Sequence, residues 1–162
     1  TPYGTEAMHV LRGEKGYIIV GQDTDGSITP HDLGMGGMVS KTKDFLGRRS
    51  LSRSHTAAAN RKQLVGLLTE DAQTVLPEGA QLTALAQITA TPTPANSVPM
   101  IGHVTSSYYS PTLKRSIAMA VVRDGQQKMG QKIYAALADG RHVAATIASP
   151  VFYDPEGKHH HD

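Results

Sequence analysis

Histidine and aspartate are the residues of this sequence whose side chains could act in acid–base or metal chemistry. Outside the tail, five histidines are scattered along the chain: His9, His31, His55, His103 and His142. No nucleophile motif, phosphate-binding loop or His-Glu-x-x-His pattern accompanies them, so only the folded chain could gather them into a site. His103 stands in an apolar stretch, where a hydrogen-bonded structural histidine is more common than a ligand. The residues alone therefore predict no catalytic centre.

Two loops and the tail carry residues typical of ion or nucleotide binding but lack the spacing. If Asp23 is position 1 of a calcium loop, Ile28 stands where glycine is required and Gly34 where a bidentate glutamate belongs. In Gly34-Met35-Gly36-Gly37 the third glycine of a dinucleotide-binding fingerprint is displaced. The run His159-His160-His161 defines no ligand geometry. We assign no metal or nucleotide to any of these stretches.

The bulk composition limits the fold and the partners. At 162 residues the chain is one domain, or one domain with part of another. Cysteine is absent, which excludes disulfides, thiolate metal sites and a cysteine nucleophile, and suits the cytoplasm. The net charge of +2 is too small to indicate nucleic acid, and the aliphatic runs are far shorter than the ~18–20 residues that cross a bilayer. We expect a cytoplasmic protein that binds neither nucleic acid nor membrane. Since it starts at Thr1 without an initiator Met, we also expect part of a longer chain.

Positive charge is concentrated in one segment. Between Lys41 and Lys62 there are seven basic residues against the single acid Asp44. A short charge run usually marks a solvated helix or linker. The alternative interpretation is a surface that faces an anionic ligand or an acidic partner subunit.

The elements that would position these residues begin with helical sequence. The pattern predicts a helix over Thr5–Lys15, capped by Thr5 and ended by Gly16. Its apolar face is expected to consist of Ala7, Met8 and Leu11. Tyr17–Val20 predicts a short strand, and Asp44–His55 a weaker helix that leads into a linker.

From residue 61 onward the sequence changes to a β pattern. Six short stretches predict strands: Gln63–Thr69, Gly79–Ala86, Met100–Thr105, Ser116–Arg123, Lys132–Ala138 and His142–Ser149. After the third of these, Ser106, Ser107, Ser110 and Pro111 predict a polar turn. Asp139-Gly140 predicts a type I′ hairpin turn. Thr89–Pro99, with three prolines, is the one long loop.

No helical pattern interrupts the six strands, which predicts an antiparallel barrel or sandwich. We expect a mainly β (α+β) fold whose six-stranded antiparallel β-barrel occupies residues 59–155. A partial α+β segment at residues 1–58, itself an incomplete domain, precedes the barrel, and a flexible tail at residues 156–162 follows it.

Two segments of the sequence resemble the folate-binding aminomethyltransferase superfamily. The first, Glu6–Gly16 with Gly21-Gln22-Asp23, looks like that family's Leu-Arg-x-Glu-x-Gly helix exit and Gly-x-Asp turn. The second, Gly102–Ser106 with Ser110-Pro111 and Ile117–Ala120, is similar to the Gly-x-Val-Thr-Ser…Ser-Pro…Ala-Met/Leu hairpin of its C-terminal barrel. Their order and spacing cover nearly the whole chain. The resemblance implies a piece of a folate-binding domain followed by that barrel.

Within that superfamily, three stretches look closest to the family of α chains of heterotetrameric sarcosine oxidase: Lys15–Gly26, Arg61–Leu67 and Pro150–Gly157. This resemblance implies that a flavin on another subunit oxidises the N-methyl group of sarcosine. Tetrahydrofolate, held by the aminomethyltransferase-like region, would then capture the C1 unit as 5,10-methylenetetrahydrofolate. It also implies NAD elsewhere in the complex and other oxidase subunits as partners.

Two alternatives to this function remain open. One is a glycine-cleavage-type aminomethyltransferase, although that enzyme typically has tyrosine where this chain has Val20. The other is a non-catalytic barrel that only supports its neighbour and contacts other subunits.

Arg12 is the residue that the resemblance singles out for cofactor binding. It matches the arginine of the family motif, which implies that it pairs with a folate carboxylate or fixes the ligand pocket. From the residues alone, a helix-end salt bridge with Glu14 or a neighbour is an equal alternative. The acidic residues that the family uses near folate would lie upstream of Thr1. We therefore expect this piece alone to be catalytically silent and to bind folate poorly.

Overall fold

A computed structural model describes residues 3–86 and 98–160 of the chain. Within them the regular elements are α1 (Thr5–Glu14), β1 (Lys62–Thr69), β2 (Gln81–Thr83), β3 (Gly102–Ser110), β4 (Arg115–Arg123), β5 (Lys132–Ala136) and β6 (His142–Ala148). Short 3₁₀ helices lie at Gly36–Met38, Arg48–Ser52, Gly125–Lys128 and Lys158–His160. Most of the long loop expected at Thr89–Pro99 lies outside the described residues.

The six strands close into an antiparallel barrel in the order β1-β4-β3-β2-β5-β6, and β6 pairs back onto β1. The predicted fold class is therefore confirmed. The register shows the closure at Leu67 of β1, which lies opposite Ala118 of β4 on one side and Ile147 of β6 on the other. Closure gives each strand two neighbours, so that the backbone groups of the ladder need no further partner.

Alternate positions along the strands fill the interior of the barrel. The buried cluster there consists of Val65, Leu67, Leu76, Leu82, Val104, Ala118, Ala120, Val122, Ile133, Ala135, Ala145 and Ile147. Alanines stand among the branched residues because the lumen of a six-stranded barrel is narrow and is filled by small and large side chains in alternation.

Strand β4 is buried on both of its faces. Ile117, Met119 and Val121 alternate with the inward residues of β4 and are nevertheless almost completely buried. They are covered by the front segment, residues 3–58. Its helix α1 packs against β3 and β4, and the carbonyl oxygen of Asp32 accepts a 2.8 Å hydrogen bond from the backbone N–H of Leu64. Two-sided burial explains why this strand reads as a continuous apolar run instead of an alternating one.

The front segment is less regular than predicted. Helix α1 forms as expected, but Gly4 occupies the N-cap position, so the predicted cap by Thr5 is wrong. Tyr17–Val20 forms no strand of the sheet, because the only β contact there is an isolated bridge between Val20 and Thr24. The predicted helix at Asp44–His55 is reduced to the 3₁₀ helix Arg48–Ser52, since so few apolar residues give it no face to dock.

The buried face of α1 is also different from the predicted one. Met8 and Leu11 are 45% and 52% exposed, whereas Arg12, Gly13 and Glu14 are buried. Gly13 permits this orientation, because a Cβ at its position would stand only 3.0 Å from the ring of Tyr108. The helix thus turns a polar, close-packed edge to the barrel and leaves its apolar residues outside.

The two predicted turns of the barrel are partly corrected. Strand β3 continues to Ser110, so the chain reverses at Pro111–Lys114 and not at the serines. A bulge after Val104 shifts the register of β3. The Asp139-Gly140 hairpin forms, but among its turn residues only Gly140 has a positive φ, +85°, which excludes a type I′ turn.

Gly66 of β1 leaves room for the C-terminal segment to cross the barrel wall. A Cβ there would collide with the carbonyl oxygen of Ser149 and lie 2.7 Å from Cζ of Phe152. We predict that Gly66→Ala lowers the free energy of unfolding in urea by about 1–3 kcal/mol, as overpacking does. Gly26→Ala is the control, since nothing lies within 4 Å of the added Cβ and no positive φ strains it. Equal stability of the two variants would contradict this packing.

Candidate functional site

A buried guanidinium joins the front helix to the barrel. Arg12, in the last turn of α1, is only 8% exposed. Its Nη1 donates to Asp23 Oδ2 at 2.6 Å and to the carbonyl oxygen of Tyr17 at 3.2 Å. Its Nη2 donates to Ser106 Oγ at 2.7 Å and to the hydroxyl of Tyr108 at 2.8 Å, both on β3. Each Nη nitrogen therefore has two acceptors within the chain.

The carboxylate of Asp23 receives the other half of this network. It is 1% exposed and accepts hydrogen bonds from Thr105 Oγ1 at 2.5 Å, Ser106 Oγ at 2.6 Å and the backbone N–H of Ile19 at 2.9 Å. Buried charges persist only when they are paired and hydrogen-bonded, and both conditions are met here. The loop that contains Asp23 is thereby held against the outside of β3.

Sequence reasoning identified Arg12 but missed its partner. The sequence places Asp23 in a calcium-like loop and in the family's Gly-x-Asp turn, and it offers Glu14 or a neighbour as the salt-bridge partner of Arg12. The carboxylate of Glu14 instead accepts a 2.6 Å hydrogen bond from Ser110 Oγ. The signal that was available is the polar run on β3, because hydroxyl groups in a strand that is buried on both faces need polar partners from another element.

A cavity of about 350 Å³ opens beside this network, between the loop 21–28 and the outer face of the barrel. The barrel contributes Lys62 of β1, His103 and Thr105 of β3 and Val121 of β4. From the other side come Asp25, Ser27, Arg61 and the backbone of the loop. Its size is at the lower end of the range for sites that hold small molecules.

Two polar groups of the cavity, the imidazole of His103 and the ammonium group of Lys62, are left available for a ligand. Burial lowers the pKa of His103, and the nearby Lys62 lowers it further, although Asp25 opposes the shift. A neutral imidazole can donate or accept a hydrogen bond. Among the described residues, neither the imidazole of His103 nor the ammonium group of Lys62 has a hydrogen-bond partner. The hydrogen bond expected of a structural histidine is therefore absent from His103 in the described part of the chain.

A second ion pair closes one side of the cavity. Arg61 Nη2 lies 2.6 Å from Asp32 Oδ2, and Arg61 Nε donates to both carboxylate oxygens at 3.0 Å. The backbone N–H and hydroxyl of Thr29 add two 2.8 Å hydrogen bonds to Oδ2. Burial alone would raise the pKa of Asp32, but the bonds from Arg61 and Thr29 outweigh it and lower the pKa. The pair anchors the segment before the barrel to its first strand.

Two family models match different parts of the chain. Residues 62–154 match the family model of the glycine cleavage T-protein C-terminal barrel domain, and residues 1–43 match that of the GCVT N-terminal domain. A closed six-stranded barrel preceded by residues that match that second domain defines an aminomethyltransferase-like protein. The chain belongs to the glycine cleavage T-protein family.

Relatives of two kinds share this sequence. The chain is 46% identical to the sarcosine oxidase subunit alpha of Corynebacterium sp. (strain U-96) over 97% of its own length, and 38% identical to that of Rhizobium meliloti (strain 1021) over 99%. It spans 16% of the length of both relatives. It is also 32% identical to the aminomethyltransferase of Streptomyces coelicolor, over 94% of the chain and 38% of the relative.

A solved structure shows the same fold. The glycine cleavage system aminomethyltransferase T from Bartonella henselae superposes with a TM-score of 0.72 at 24% identity, covering 92% of this chain and 38% of that one. The resemblance inferred from the two sequence motifs is thus confirmed at the level of family and fold. In the part of the chain that the structure describes, no helix has the length and apolarity to cross a membrane.

The Arg12–Asp23 pair makes a prediction about stability. Asp23→Asn removes the negative charge and leaves the buried guanidinium of Arg12 without a counter-ion. We predict a loss of about 3–5 kcal/mol in the free energy of unfolding, measured in urea, as is typical when one partner of a buried pair is removed. Asp139→Asn, which breaks the exposed pair with Arg141, is the control and should change stability little. Similar losses in both variants would show that the pair does not hold the fold together.

The Asp32–Arg61 pair makes a prediction about pH. Because the pKa of Asp32 is lower in the folded chain than its usual value, the carboxylate stabilises the fold above the unfolded pKa of about 4. That stabilisation is lost as the pH falls through the lower folded pKa. We predict that Asp32→Asn is less stable than the unsubstituted chain at pH 7 and that the difference shrinks below about pH 4. Urea titrations across this range measure it, and a difference that is independent of pH would contradict the assignment.

Proposed function

We propose that this chain forms part of a tetrahydrofolate-binding region that captures, as 5,10-methylenetetrahydrofolate, the C1 unit from oxidative demethylation of sarcosine. The observation that carries this proposal is the 46% identity with a sarcosine oxidase alpha subunit over 97% of the chain, against 32% with an aminomethyltransferase. The flavin and NAD that the oxidation needs would lie outside these residues, in a cytoplasmic complex with other subunits.

The cavity has a chemistry that suits part of a folate. The ligand's glutamate carries carboxylates, and Lys62 presents an ammonium group that has no acidic partner among the described residues. The neutral imidazole of His103 can meet a donor or an acceptor on the ligand. A volume of about 350 Å³ accommodates one end of such a molecule. We therefore assign the glutamate end of the folate to this cavity.

The chain would contribute to the reaction by holding and orienting the folate. When bound, tetrahydrofolate supplies the two nitrogen atoms that accept the C1 unit. Lys62 and His103 would bind the ligand, and the wall formed by the loop 21–28 would limit its movement and exclude water. A fixed orientation of one reactant relative to another is itself a source of rate acceleration.

Arg12 is proposed as a positioning residue for this region. Its Nη groups are occupied by acceptors of the chain, and it does not line the cavity. This geometry supports the second of the two roles implied by the motif, fixing the pocket, over direct pairing with a folate carboxylate. Arg12 would fix the pocket through Asp23, which forms part of the cavity wall.

Two other functions have an observation in their favour. The identity with aminomethyltransferases supports a transferase of the glycine-cleavage type, which would use the same folate region without a flavin subunit. The network around Arg12 supports a purely structural barrel, since it ties the front segment to β3 without involving any ligand.

The test uses the full-length protein in its oxidase complex, with sarcosine as substrate. We expect added tetrahydrofolate to suppress the release of formaldehyde and to yield methylenetetrahydrofolate. We predict that Lys62→Ala raises the tetrahydrofolate concentration needed for half-suppression about threefold to tenfold, because one charge-assisted hydrogen bond at a half-open site is lost. Lys114→Ala, an exposed lysine in the β3–β4 turn, is the matched control.

The possible outcomes separate the parts of the proposal. Formaldehyde release that does not change when tetrahydrofolate is added would contradict the proposed function itself. If tetrahydrofolate suppresses formaldehyde release normally and Lys62→Ala has no effect, only the placement of the glutamate end of the folate in this cavity is contradicted. Assembly that fails in Arg12→Ala while folate turnover is untouched would favour the purely structural barrel.

A further inference from the structure

Met38–Arg53 carries more positive charge than the whole chain. Its cations, all exposed, are Lys41, Lys43, Arg48, Arg49 and Arg53, and its single acid is Asp44. Five cations against one carboxylate give this segment a net charge of +4, whereas the chain has +2. The remaining residues together therefore carry −2, so the positive charge is local and not a property of the protein's whole surface.

The chain does not neutralise this charge itself. Among the described residues, none of the five cations forms an ion pair, and the one side-chain hydrogen bond they make is a long contact from Arg48 to the carbonyl oxygen of Lys41. Three exposed cations of the barrel and tail, Lys132, Arg141 and Lys158, each lie against a carboxylate instead. A patch of unpaired, exposed positive charge attracts a negatively charged partner.

An apolar groove of about 470 Å³ runs through the same segment. Six of its ten lining residues have apolar side chains, Pro30, Met38, Val39, Phe45, Leu46 and Leu51, and the other four are Ser40, Lys43, Asp44 and Gly47. Of the apolar residues, Leu46 is fully exposed and Met38 is 83% exposed. Single exposed leucines are ordinary on protein surfaces, but a groove lined by six apolar residues and bordered by cations is typical of a binding surface.

We propose that Met38–Arg53 is a docking surface for an acidic segment of a partner subunit. The partner's acidic segment would place one apolar side chain in the groove. Its carboxylates would lie against Arg48 and Arg49, which can bind them in a bidentate manner. This inference rests on the proposed function, because that function requires a complex of several subunits.

The structure of the segment favours a protein partner over the other anionic surfaces. Its only aromatic residue is Phe45, so it offers no row of stacking platforms for single-stranded nucleic acid. Its longest helix is the five-residue 3₁₀ helix Arg48–Ser52, which is too short to lie in a membrane interface as an amphipathic helix. A groove that accepts a side chain between cations matches the hydrophobic centre and polar rim of a protein interface.

The test measures binding of a labelled peptide to the full-length protein by fluorescence anisotropy. The peptide consists of glutamate and aspartate around a central Leu-Phe pair, and a second peptide replaces that pair by Ser-Ser. We expect Arg48→Glu/Arg49→Glu to weaken binding of the first peptide at least about tenfold, as reversal of charges at an interface does. The Ser-Ser peptide should bind more weakly to the unsubstituted protein, because it leaves the groove empty.

The control variant is Lys114→Glu/Arg123→Glu, which makes the same charge change at exposed positions of the barrel. We expect it to leave peptide binding within about twofold, since neither residue lines the groove. Equal weakening in both variants would overturn the proposal, because it would mean general attraction without a site. So would tighter binding of single-stranded DNA or anionic vesicles than of the peptide. Because the readout needs neither folate nor sarcosine, failure here is distinct from failure of the proposed function.

Discussion

The Arg12–Asp23 ion pair is the interaction on which the arrangement of this chain depends. Both groups are removed from water, and a charge in that position is tolerated only while its partner and hydrogen bonds remain in place. Three pieces of chain therefore have to meet at one point: the end of α1, the loop around Asp23 and the strand β3. The same contact places the loop beside the barrel and so creates the cavity between them.

The barrel and the front segment use burial in opposite ways. The barrel closes on itself, and its strand β4 is covered on the outside as well, so this half of the chain has a complete apolar core. The front segment buries polar groups against the barrel and leaves Met8, Leu11 and Leu46 exposed. The seven basic residues between Lys41 and Lys62 lie in different environments. Arg61 pairs with Asp32, Lys62 lines the cavity, and Met38–Arg53 presents its charges to solvent.

The strands and helix α1 were predictable and the rest of the front segment was not, for a physical reason visible in single residues. Ile133 and Ala135 alternate with outward residues, and such a local pattern reports which face of a strand is buried wherever the strand lies. Tyr17–Val20 has the composition of a strand but finds no neighbour to pair with. Ser106 and Ser110 look like turn residues, yet they lie within β3 because Arg12, Asp23 and Glu14 provide partners for their hydroxyls.

The sequence by itself determined the barrel, its approximate strand positions and Arg12 as a residue of interest. Hydrophobic periodicity and the family motif can be recognised from residues that are close together in the chain. The tertiary structure alone decided that Asp23 is the partner of Arg12, that His103 and Lys62 share a cavity, and that α1 buries its polar edge. Each of these facts joins side chains that are far apart in the chain. A buried charge selects its partner by distance in space, and local sequence patterns contain no record of that distance.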